Sequence, residues 1–345
     1  MDIRDLLNSF LEDLPIDSKP PTVLIALDNG VEVDYSGDRD LIFDMGSLTK
    51  IISTTSIILK LVENKELNLE DLVSQYLPGK SLKDITIKNL LCHRAGLWEW
   101  RPFYIELENN SELLCYIGDL PLRYKIDSAR HYSDLGFIAL GAVIVRITQT
   151  SLDVTFTEMV AKPLALTHTN YSHPISLEKC IPSSYGDRAE FKMVVENSPY
   201  PVNADPKDFS KWRTHILQGE VNDGNAFHVM NSVSGHAGLF SSASDVMAYG
   251  RELLRSLSGG GFFDSSILSE FLTFERDHEQ ALGFQRYSVK KDSKVLTAFG
   301  HTGFPGVALA IVPERDLVLG LFTNRLLVTG ESFQTSAALT HLLSR

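Results

Sequence analysis

The chain has 345 residues, of which 43% are hydrophobic and 22% are charged, and its formal net charge is −12. This share of apolar residues can fill a core, so a mainly disordered chain is excluded. The acidic balance argues against a general nucleic-acid binder and against a polybasic membrane anchor, since both need clustered positive charge.

The first residues bear on the cellular compartment. They lack the basic and apolar segments of a secretory signal. No stretch of the sequence approaches the roughly 18 apolar residues of a membrane helix. The three cysteines, Cys92, Cys115 and Cys180, are widely spaced and make neither a disulfide framework nor a metal cluster. We therefore expect a cytoplasmic protein without a membrane span, or a periplasmic one if a leader has been removed.

The N-terminal part predicts a helix, a hairpin and a second helix. Residues 2–13 carry apolar side chains at helical spacing. Residues 22–37 predict two strands around the turn Asp28-Asn29-Gly30, which is a strong hairpin signal. A third short strand at 41–43 leads into Met45-Gly46-Ser47, after which apolar residues again recur at helical period.

The middle of the chain is mostly helical by pattern. Residues 86–93, 134–148 and 244–256 predict helices, and the first two look buried. Residues 176–235 differ, because they are rich in Pro, Ser, Asp and Asn and have weak periodicity. A connection of that length inside a compact protein is usually functional, so we expect it to shape a binding pocket.

The C-terminal part alternates strand-like segments with short turns that contain Gly or Pro, which favours antiparallel pairing. Strands are predicted at 283–289, 295–300, 306–312 and 317–323, and a closing helix at 332–343. Strands therefore lie at both ends of the sequence. The predicted fold is α/β (α+β): residues 1–65 and 280–345 form one antiparallel sheet flanked by helices, and the mostly helical part 66–279 is inserted.

Three Ser-x-x-Lys sequences are candidates for a nucleophilic serine: Ser47/Lys50, Ser176/Lys179 and Ser288/Lys291. On a helix, residue i+3 lies one turn above residue i on the same face, so the lysine can reach the hydroxyl. Only Ser47 follows an apolar strand and a glycine and then opens an apolar helix, whose free N–H groups suit a developing oxyanion. Burial there is expected to lower the pKa of Lys50 and to leave a neutral amine that can take a proton. The alternative is structural: Ser47 as an ordinary N-cap, with Lys50 a solvated lysine.

Two further sequences bear on this choice. Tyr132-Ser133-Asp134 precedes an apolar helix, and its tyrosine can shuttle a proton beside Lys50; the alternative is a capping contact. A second Tyr-x-Asp at 185–187 makes this motif weak alone. His301-Thr302-Gly303 ends a predicted strand, where it can lend backbone hydrogen bonds to a substrate; the alternative is a hairpin turn with an exposed histidine.

Together the three sequences occur in this order, at separations of 85 and 169 residues. In this combination the chain resembles the serine β-lactamase and penicillin-binding-protein superfamily, in particular the class C β-lactamase-like esterases and peptidases. The resemblance covers most of the chain. Further matching segments are residues 90–97, 162–164, 235–242, 316–318 and 323–325.

The resemblance implies a role for each motif. Ser47 attacks an acyl carbonyl, and Lys50 with Tyr132 handles the proton. The N–H groups of Ser47 and Phe304 bind the oxyanion, an acyl-enzyme forms, and water hydrolyses it. Whether the lysine or the tyrosine is the base stays open. The expected substrate-contacting residues are Asp134, His301, Thr302, Gly303 and Phe304. No metal and no other cofactor is required, and none of the ten histidines has a zinc-ligand spacing.

Two positions depart from the superfamily pattern. Asp134 stands in place of an asparagine, and an ionised Asp, which only accepts hydrogen bonds, can repel an anionic substrate or support Lys50. His301 stands in place of the lysine whose charge faces the carboxylate of a β-lactam or of a terminal D-alanine. A histidine is mostly neutral at pH 7. Both changes favour an esterase or peptidase over efficient penicillin hydrolysis.

The sequence therefore predicts a serine hydrolase that cleaves an ester or amide in a small molecule or peptide through an acyl-enzyme. Residues 221–226 and 235–239 resemble β-lactamase-like domains fused to cytoplasmic hexosaminidases of cell-wall recycling, which favours muropeptides or other substrates with D-amino acids. Two alternatives are open: β-lactamase or DD-carboxypeptidase activity, and a non-catalytic penicillin-binding or sensor domain. His93 and His236, which flank glycines in loops, are interpreted as structural. The oligomeric state is open.

Overall fold

The computed structural model describes residues 2–202, 204–274, 276–291 and 294–345. Its strands are β1 (Val23–Asp28), β2 (Val33–Tyr35), β3 (Ile42–Asp44), β4 (Asn170–Tyr171), β5 (Ser184–Tyr185), β6 (Ile216–Leu217), β7 (Leu239–Ser242), β8 (Gln285–Lys291), β9 (Lys294–Gly303), β10 (Val307–Val312) and β11 (Leu317–Thr323).

Its α-helices are α1 (Ile3–Glu12), α2 (Ser56–Glu63), α3 (Ile87–Leu91), α4 (Phe103–Glu106), α5 (Leu113–Asp119), α6 (Asp134–Thr148), α7 (Leu152–Phe156), α8 (Arg188–Glu196), α9 (Gly224–Val229), α10 (Ala243–Leu257), α11 (Ser265–Thr273) and α12 (Thr335–Ser344). Two π-helical stretches adjoin α2 and α7, at Lys50–Thr55 and Thr157–Ala161. Short 3-10 turns lie at Ile16–Ser18, Gly46–Leu48, Val73–Gln75, Asn110–Glu112, Pro206–Asp208 and Pro313–Arg315.

The main sheet joins the two ends of the chain. Six of the described strands form it in the order β2-β1-β11-β10-β9-β8, and every neighbouring pair is antiparallel. β1 pairs with β11 at Ile25↔Leu321, so the N-terminal hairpin lies beside the C-terminal strands. This confirms the prediction of one antiparallel sheet built from both termini.

Different helices cover the two faces of this sheet. Leu319 packs in a cluster with Leu6 of α1 and Leu339 of α12. Its neighbour Val318 packs in the larger core with Met247 of α10. Because successive side chains of a strand point to opposite faces, burial on both sides explains why β11 is apolar at nearly every position rather than alternating.

β3 departs from the predicted single sheet. It pairs with β7 at Ile42↔Ser242, and β7 pairs with β4, so these strands form a separate small sheet. At the end of β3, the Asp44 carboxylate accepts hydrogen bonds from the N–H groups of Gly46 (2.8 Å) and Asn222 (2.6 Å). The strand therefore places the turn before Ser47 and does not widen the main sheet.

The segment 176–235 is more regular than its composition predicts, because it contains β5, α8, β6 and α9. Polar contacts hold these short elements. Arg213 pairs with Asp187 at 2.6 Å, and both side chains are at least 95% buried. The side chain of Asp223 caps α9 by accepting the N–H of Ala226. Elements held in this way do not need a continuous apolar stripe, so their periodicity is weak.

The helical part brings Asp134 beside the segment that follows Ser47. α6 begins at Asp134, and its N-cap Ser133 accepts the N–H of Gly136 at 3.2 Å. α6 packs against the π-helical stretch that begins at Lys50.

No single described helix is long and apolar enough to cross a membrane. The bent pair of helices Asp134–Thr148 and Leu152–Ala161 has the length and composition of a membrane span, but only those two properties support such a span. The domain boundaries at 66 and 279 stay a prediction.

Candidate active site

The turn that carries Ser47 is pressed against the end of β9. Gly46 has φ +46°, a left-handed conformation that glycine adopts without strain. A Cβ atom at Gly46 would lie 2.7 Å from Pro305 Cδ, and one at Gly303 would lie 2.3 Å from the carbonyl oxygen of Met45. Glycine is therefore required on both sides of this contact, which brings Ser47 beside the residues that follow β9.

Lys50 is fully buried, and each of its three ammonium N–H groups has an acceptor. Nζ donates to Ser47 Oγ (2.8 Å), to Asp134 Oδ1 (2.7 Å) and to the carbonyl oxygen of His236 (3.2 Å). No described backbone N–H donates to Ser47 Oγ. The alternative of an N-cap serine with a solvated lysine is therefore excluded.

The prediction of a neutral amine at Lys50 is wrong for this structure. Burial acts to lower the pKa of Lys50, as expected, but the carboxylate of Asp134 and, less strongly, Tyr132 raise the pKa above the ordinary lysine value. An opposite charge in direct contact outweighs the loss of hydration here. Lys50 is thus an ammonium paired with Asp134, and this pairing favours support of Lys50 as the role of that aspartate.

Tyr132 completes the cluster around Ser47. Its ring centroid lies 5.0 Å from Lys50 Nζ, and its hydroxyl interacts with the side chains of Lys50 and Ser47. Burial raises the pKa of Tyr132, although the ammonium of Lys50 opposes the shift. The phenol is therefore protonated at neutral pH, and it can pass a proton between neighbours.

Two backbone amides near Ser47 are available to a ligand. Among the described residues, the N–H groups of Ser47 and Phe304 donate to no acceptor. Both residues line the same pocket, and a Cβ atom at Gly46 would lie 3.1 Å from the nitrogen of Phe304. Two free amides on adjacent segments beside a serine hydroxyl are what the binding of an oxyanion requires.

His301 lies behind this cluster and not in the pocket. Its side chain is fully buried, and its ring centroid is 5.8 Å from that of Tyr132. Nδ1–H donates to the carbonyl oxygen of Thr302 at 2.8 Å, which holds the ring against its own strand. Burial, and then Lys50, lower the pKa of His301 to about 3, so the ring is neutral as predicted. The expected substrate contact of His301 is corrected to a contact with Tyr132, whereas Thr302 and Gly303 do line the pocket.

The pocket in front of Ser47 has a volume of about 610 Å³ and includes charged residues to which the sequence assigned no role: Arg130, Glu190, Lys192, Asp223 and Arg325. Asp223 accepts a hydrogen bond from His236 Nε2 at 3.0 Å. Burial opposes ionisation of Asp223, but His236 lowers its pKa overall. Burial, and then Asp223, raise the pKa of Glu190. The segments that carry Asp223 and Arg325 were noted for their resemblance, but no pattern marked Glu190.

One group of side chains has the spacing of metal ligands. Ligand atoms of Asp134, Asp223 and His236 lie within 4.8 Å of one another. Two of these residues already contact Lys50, since its Nζ binds the Asp134 carboxylate and the His236 carbonyl. The ammonium therefore pairs with the carboxylate of Asp134, whereas the carboxylate of Asp223 accepts a hydrogen bond from His236.

The other copies of the motifs are not arranged in this way. Ser288 lies within strand β8 and not at the start of a helix. Lys179 pairs with Asp40 at 3.2 Å on the surface. Asp187, in the second Tyr-x-Asp, pairs with Arg213. Of the three Ser-x-x-Lys sequences, the one at Ser47 is the one in which a buried lysine donates to the serine in the described part of the chain.

A comparison with protein families tests the resemblance directly. The model of the Beta-lactamase family matches residues 20–340, which include Ser47, Lys50, Tyr132 and residues 301–304. The chain belongs to the beta-lactamase family. The resemblance inferred from the three motifs is confirmed.

Relatives of this beta-lactamase family chain cover most of its length. The N-acetylmuramyl-L-alanine amidase of Bacillus subtilis (strain 168) is 30% identical over 308 residues, which cover 82% of this chain and 68% of that protein. A putative D-alanyl-D-alanine carboxypeptidase of Escherichia coli (strain K12) is 27% identical over 320 residues, which cover 82% of this chain and 69% of that protein. A class C beta lactamase from Rhodobacter sphaeroides aligns with a TM-score of 0.72 at 16% identity over 98% of each chain. The predicted fold is confirmed.

Membership of the beta-lactamase family also settles the class of protein. The family consists of serine hydrolases that act on amides or esters, and the relatives above carry the names of an amidase and a peptidase. This chain is accordingly a hydrolase of that class. The prediction of an enzyme is supported by this membership.

Proposed function

We propose that Ser47 is the nucleophile of an amidase that cleaves muropeptides or related peptides through an acyl-enzyme. The observation that carries the proposal is the buried ammonium of Lys50, which joins Ser47 Oγ to Asp134 in front of two free amides. A structural role does not require a buried lysine to donate to a serine at the wall of an open pocket.

The first step forms the acyl-enzyme. An ammonium cannot accept the proton of Ser47, so Lys50 must first give a proton to Asp134, the acceptor 2.7 Å away. The neutral amine then takes the Ser47 proton while Oγ bonds to the carbonyl carbon of the substrate. The N–H groups of Ser47 and Phe304 stabilise the oxyanion. As the C–N bond breaks, the proton passes through Tyr132 to the leaving amine.

The second step restores the enzyme. Water attacks the acyl carbon, its proton passes to the Tyr132–Lys50 pair, and its oxygen becomes part of the carboxylic acid product. The bond to Ser47 Oγ breaks, and Oγ recovers a proton from the same pair. Lys50 and Asp134 finally return to the ion pair that the resting structure contains.

The amide in a muropeptide is favoured by the name of the Bacillus subtilis relative and by the neutral His301. A carboxypeptidase that removes a terminal D-alanine is the second candidate, because the Escherichia coli relative is named for that activity. Arg325, which lines the pocket, offers such a substrate a positive charge.

The test combines covalent labelling with a substrate panel. A fluorophosphonate should modify the enzyme, and mass spectrometry should locate the adduct on Ser47. The enzyme should then release L-alanine from N-acetylmuramyl-L-alanine faster than it releases D-alanine from a peptide ending in D-alanyl-D-alanine, and a chromogenic cephalosporin should turn over slowly. Release of D-alanine alone would support the carboxypeptidase, and an adduct away from Ser47 would overturn the nucleophile.

Replacing Asp134 by Asn is expected to make kcat/KM depend on pH. In the wild type kcat/KM should change little with pH, because the proton of Lys50 passes to Asp134 within the protein. In Asp134→Asn the proton of Lys50 must leave to solvent, and the pKa of Lys50 falls because burial is no longer opposed by that carboxylate. Tyr132 and Asp223, which also face Lys50, remain. kcat/KM should rise about tenfold per pH unit up to the lowered pKa and then level off. Superimposable pH profiles of ester hydrolysis for variant and wild type would show that Asp134 does not take this proton.

A further inference from the structure

His93 is a buried residue in a strained conformation. It directly follows the C-cap of α3 with φ +57°, at a position where helices usually place glycine. A side chain in this left-handed region costs on the order of 1 kcal/mol relative to glycine. The imidazole is only 2% exposed and does not line the pocket. Strain of this kind persists only where the surrounding contacts maintain it.

Those contacts hold the segment around Tyr132. The N–H of His131 donates to the carbonyl oxygen of His93 at 2.8 Å, and the N–H of Ser133 donates to His93 Nδ1 at 3.0 Å. The imidazole centroid is 4.5 Å from that of Tyr132. One residue therefore binds the backbone on both sides of Tyr132 and packs against its ring.

A second histidine contacts the same ring. His301 is fully buried, and its centroid is 5.8 Å from that of Tyr132. Since its Nδ1–H donates to a carbonyl, its Nε2 carries a lone pair. His93 is the opposite tautomer, because its Nδ1 accepts an N–H and its Nε2 carries the proton. Both Nε2 atoms are buried and have no partner among the described residues.

We propose that His93 and His301 are positioning residues that together fix the Tyr132 phenol against Ser47 and Lys50. The proposal rests on the function proposed above. Both rings act through Tyr132, since neither lines the pocket. Their fixed tautomers leave each ring neutral, so neither adds a second positive charge beside the Lys50 ammonium.

The charged groups around the pair agree with neutral rings. Burial is the largest influence that lowers the pKa of both histidines, and Lys50 and Arg130 lower both further. His301 also lowers the pKa of His93, because a positive charge on one ring disfavours a positive charge on the other. A pair held neutral in this way keeps Tyr132 in one environment over the ordinary pH range.

The main test replaces His93 by Gly. Gly suits the left-handed backbone and keeps the carbonyl that binds His131, but it removes the ring and the acceptor for Ser133. For p-nitrophenyl butyrate we expect kcat to fall about 10- to 100-fold, as for a misplaced catalytic group, with KM unchanged. The alkaline limb of the pH profile, which reports Tyr132, should shift. His93→Asn, whose side-chain oxygen can accept the Ser133 N–H, should recover most of kcat.

Gln149→Gly is the matched control, because Gln149 also has a left-handed φ (54°) at a helix C-terminus but lies at the far end of α6. It should leave kcat and the pH profile unchanged.

A folded His93→Gly variant with wild-type kcat, or with only a raised KM, would overturn the proposal. If that variant does not fold, His301→Ala makes the same test from the other ring, and unchanged kcat there would overturn it too. Activity that survives in Ser47→Ala would instead reject the proposed function.

Discussion

Replacing Ser47 by alanine is expected to reduce hydrolysis of a p-nitrophenyl ester by at least about 10³-fold. The hydroxyl forms the bond to the acyl group. Without it, Lys50 and Tyr132 have no serine proton to transfer, and the two amides have no oxyanion from a serine attack to bind. Lys50 loses one of three acceptors, so stability should fall by only about 1 kcal/mol. Steady-state kinetics and thermal unfolding measure both effects.

The control for this variant is Ser176→Ala, which removes the serine of another Ser-x-x-Lys sequence. It should leave turnover and fluorophosphonate labelling unchanged. Substantial turnover by a purified Ser47→Ala variant would reject Ser47 as the nucleophile. A contaminating hydrolase is recognised by mass spectrometry, because the fluorophosphonate would label its peptides and not those of this chain.

Replacing Lys50 by methionine should abolish turnover and also destabilise the fold. The variant leaves the Asp134 carboxylate, which is 17% exposed, without its ion-pair partner. Removal of one member of a buried pair typically costs about 3–5 kcal/mol. The double variant Lys50→Met with Asp134→Asn removes the unpaired charge, so it should regain much of the stability while turnover stays lost.

Chemical unfolding in urea measures the stabilities, and Lys179→Met is the control because that lysine pairs with Asp40 on the surface. We expect the control to change stability by less than about 1 kcal/mol. A double variant no more stable than Lys50→Met alone would mean that the Lys50–Asp134 pair does not account for the loss. Activity recovered in the double variant would exclude Lys50 from the reaction.

Local pattern was sufficient to predict much of the fold. The Asp28-Asn29-Gly30 turn marked the first hairpin, and the apolar runs near the C-terminus marked β10 and β11. The order of the sheet followed from strands at both ends of the chain. The pairing of β3 with β7 did not, because a three-residue strand carries no information about its partner.

The site was predictable at the level of motifs and not at the level of charge. Ser47 was distinguished by the strand, glycine and helix around it. The charge of Lys50 depends on Asp134, 84 residues away, and on the distance between their side chains. The position of His301 depends on the hydrogen bond of its own ring. Asp223 reaches the pocket from a segment whose periodicity is weak, so only the assembled structure places it there.

The pairing of β1 with β11 has a consequence for biosynthesis. On the ribosome, β1 emerges first of the six described strands of the main sheet, whereas its neighbour β11 is the last of the six to be made. Until then one edge of the N-terminal hairpin has no strand to pair with, and such edges favour aggregation. Contacts between residues so distant in sequence also form slowly. Completion of the sheet must therefore wait until β11 has been synthesised, and the edge of β1 that β11 covers is exposed until that point.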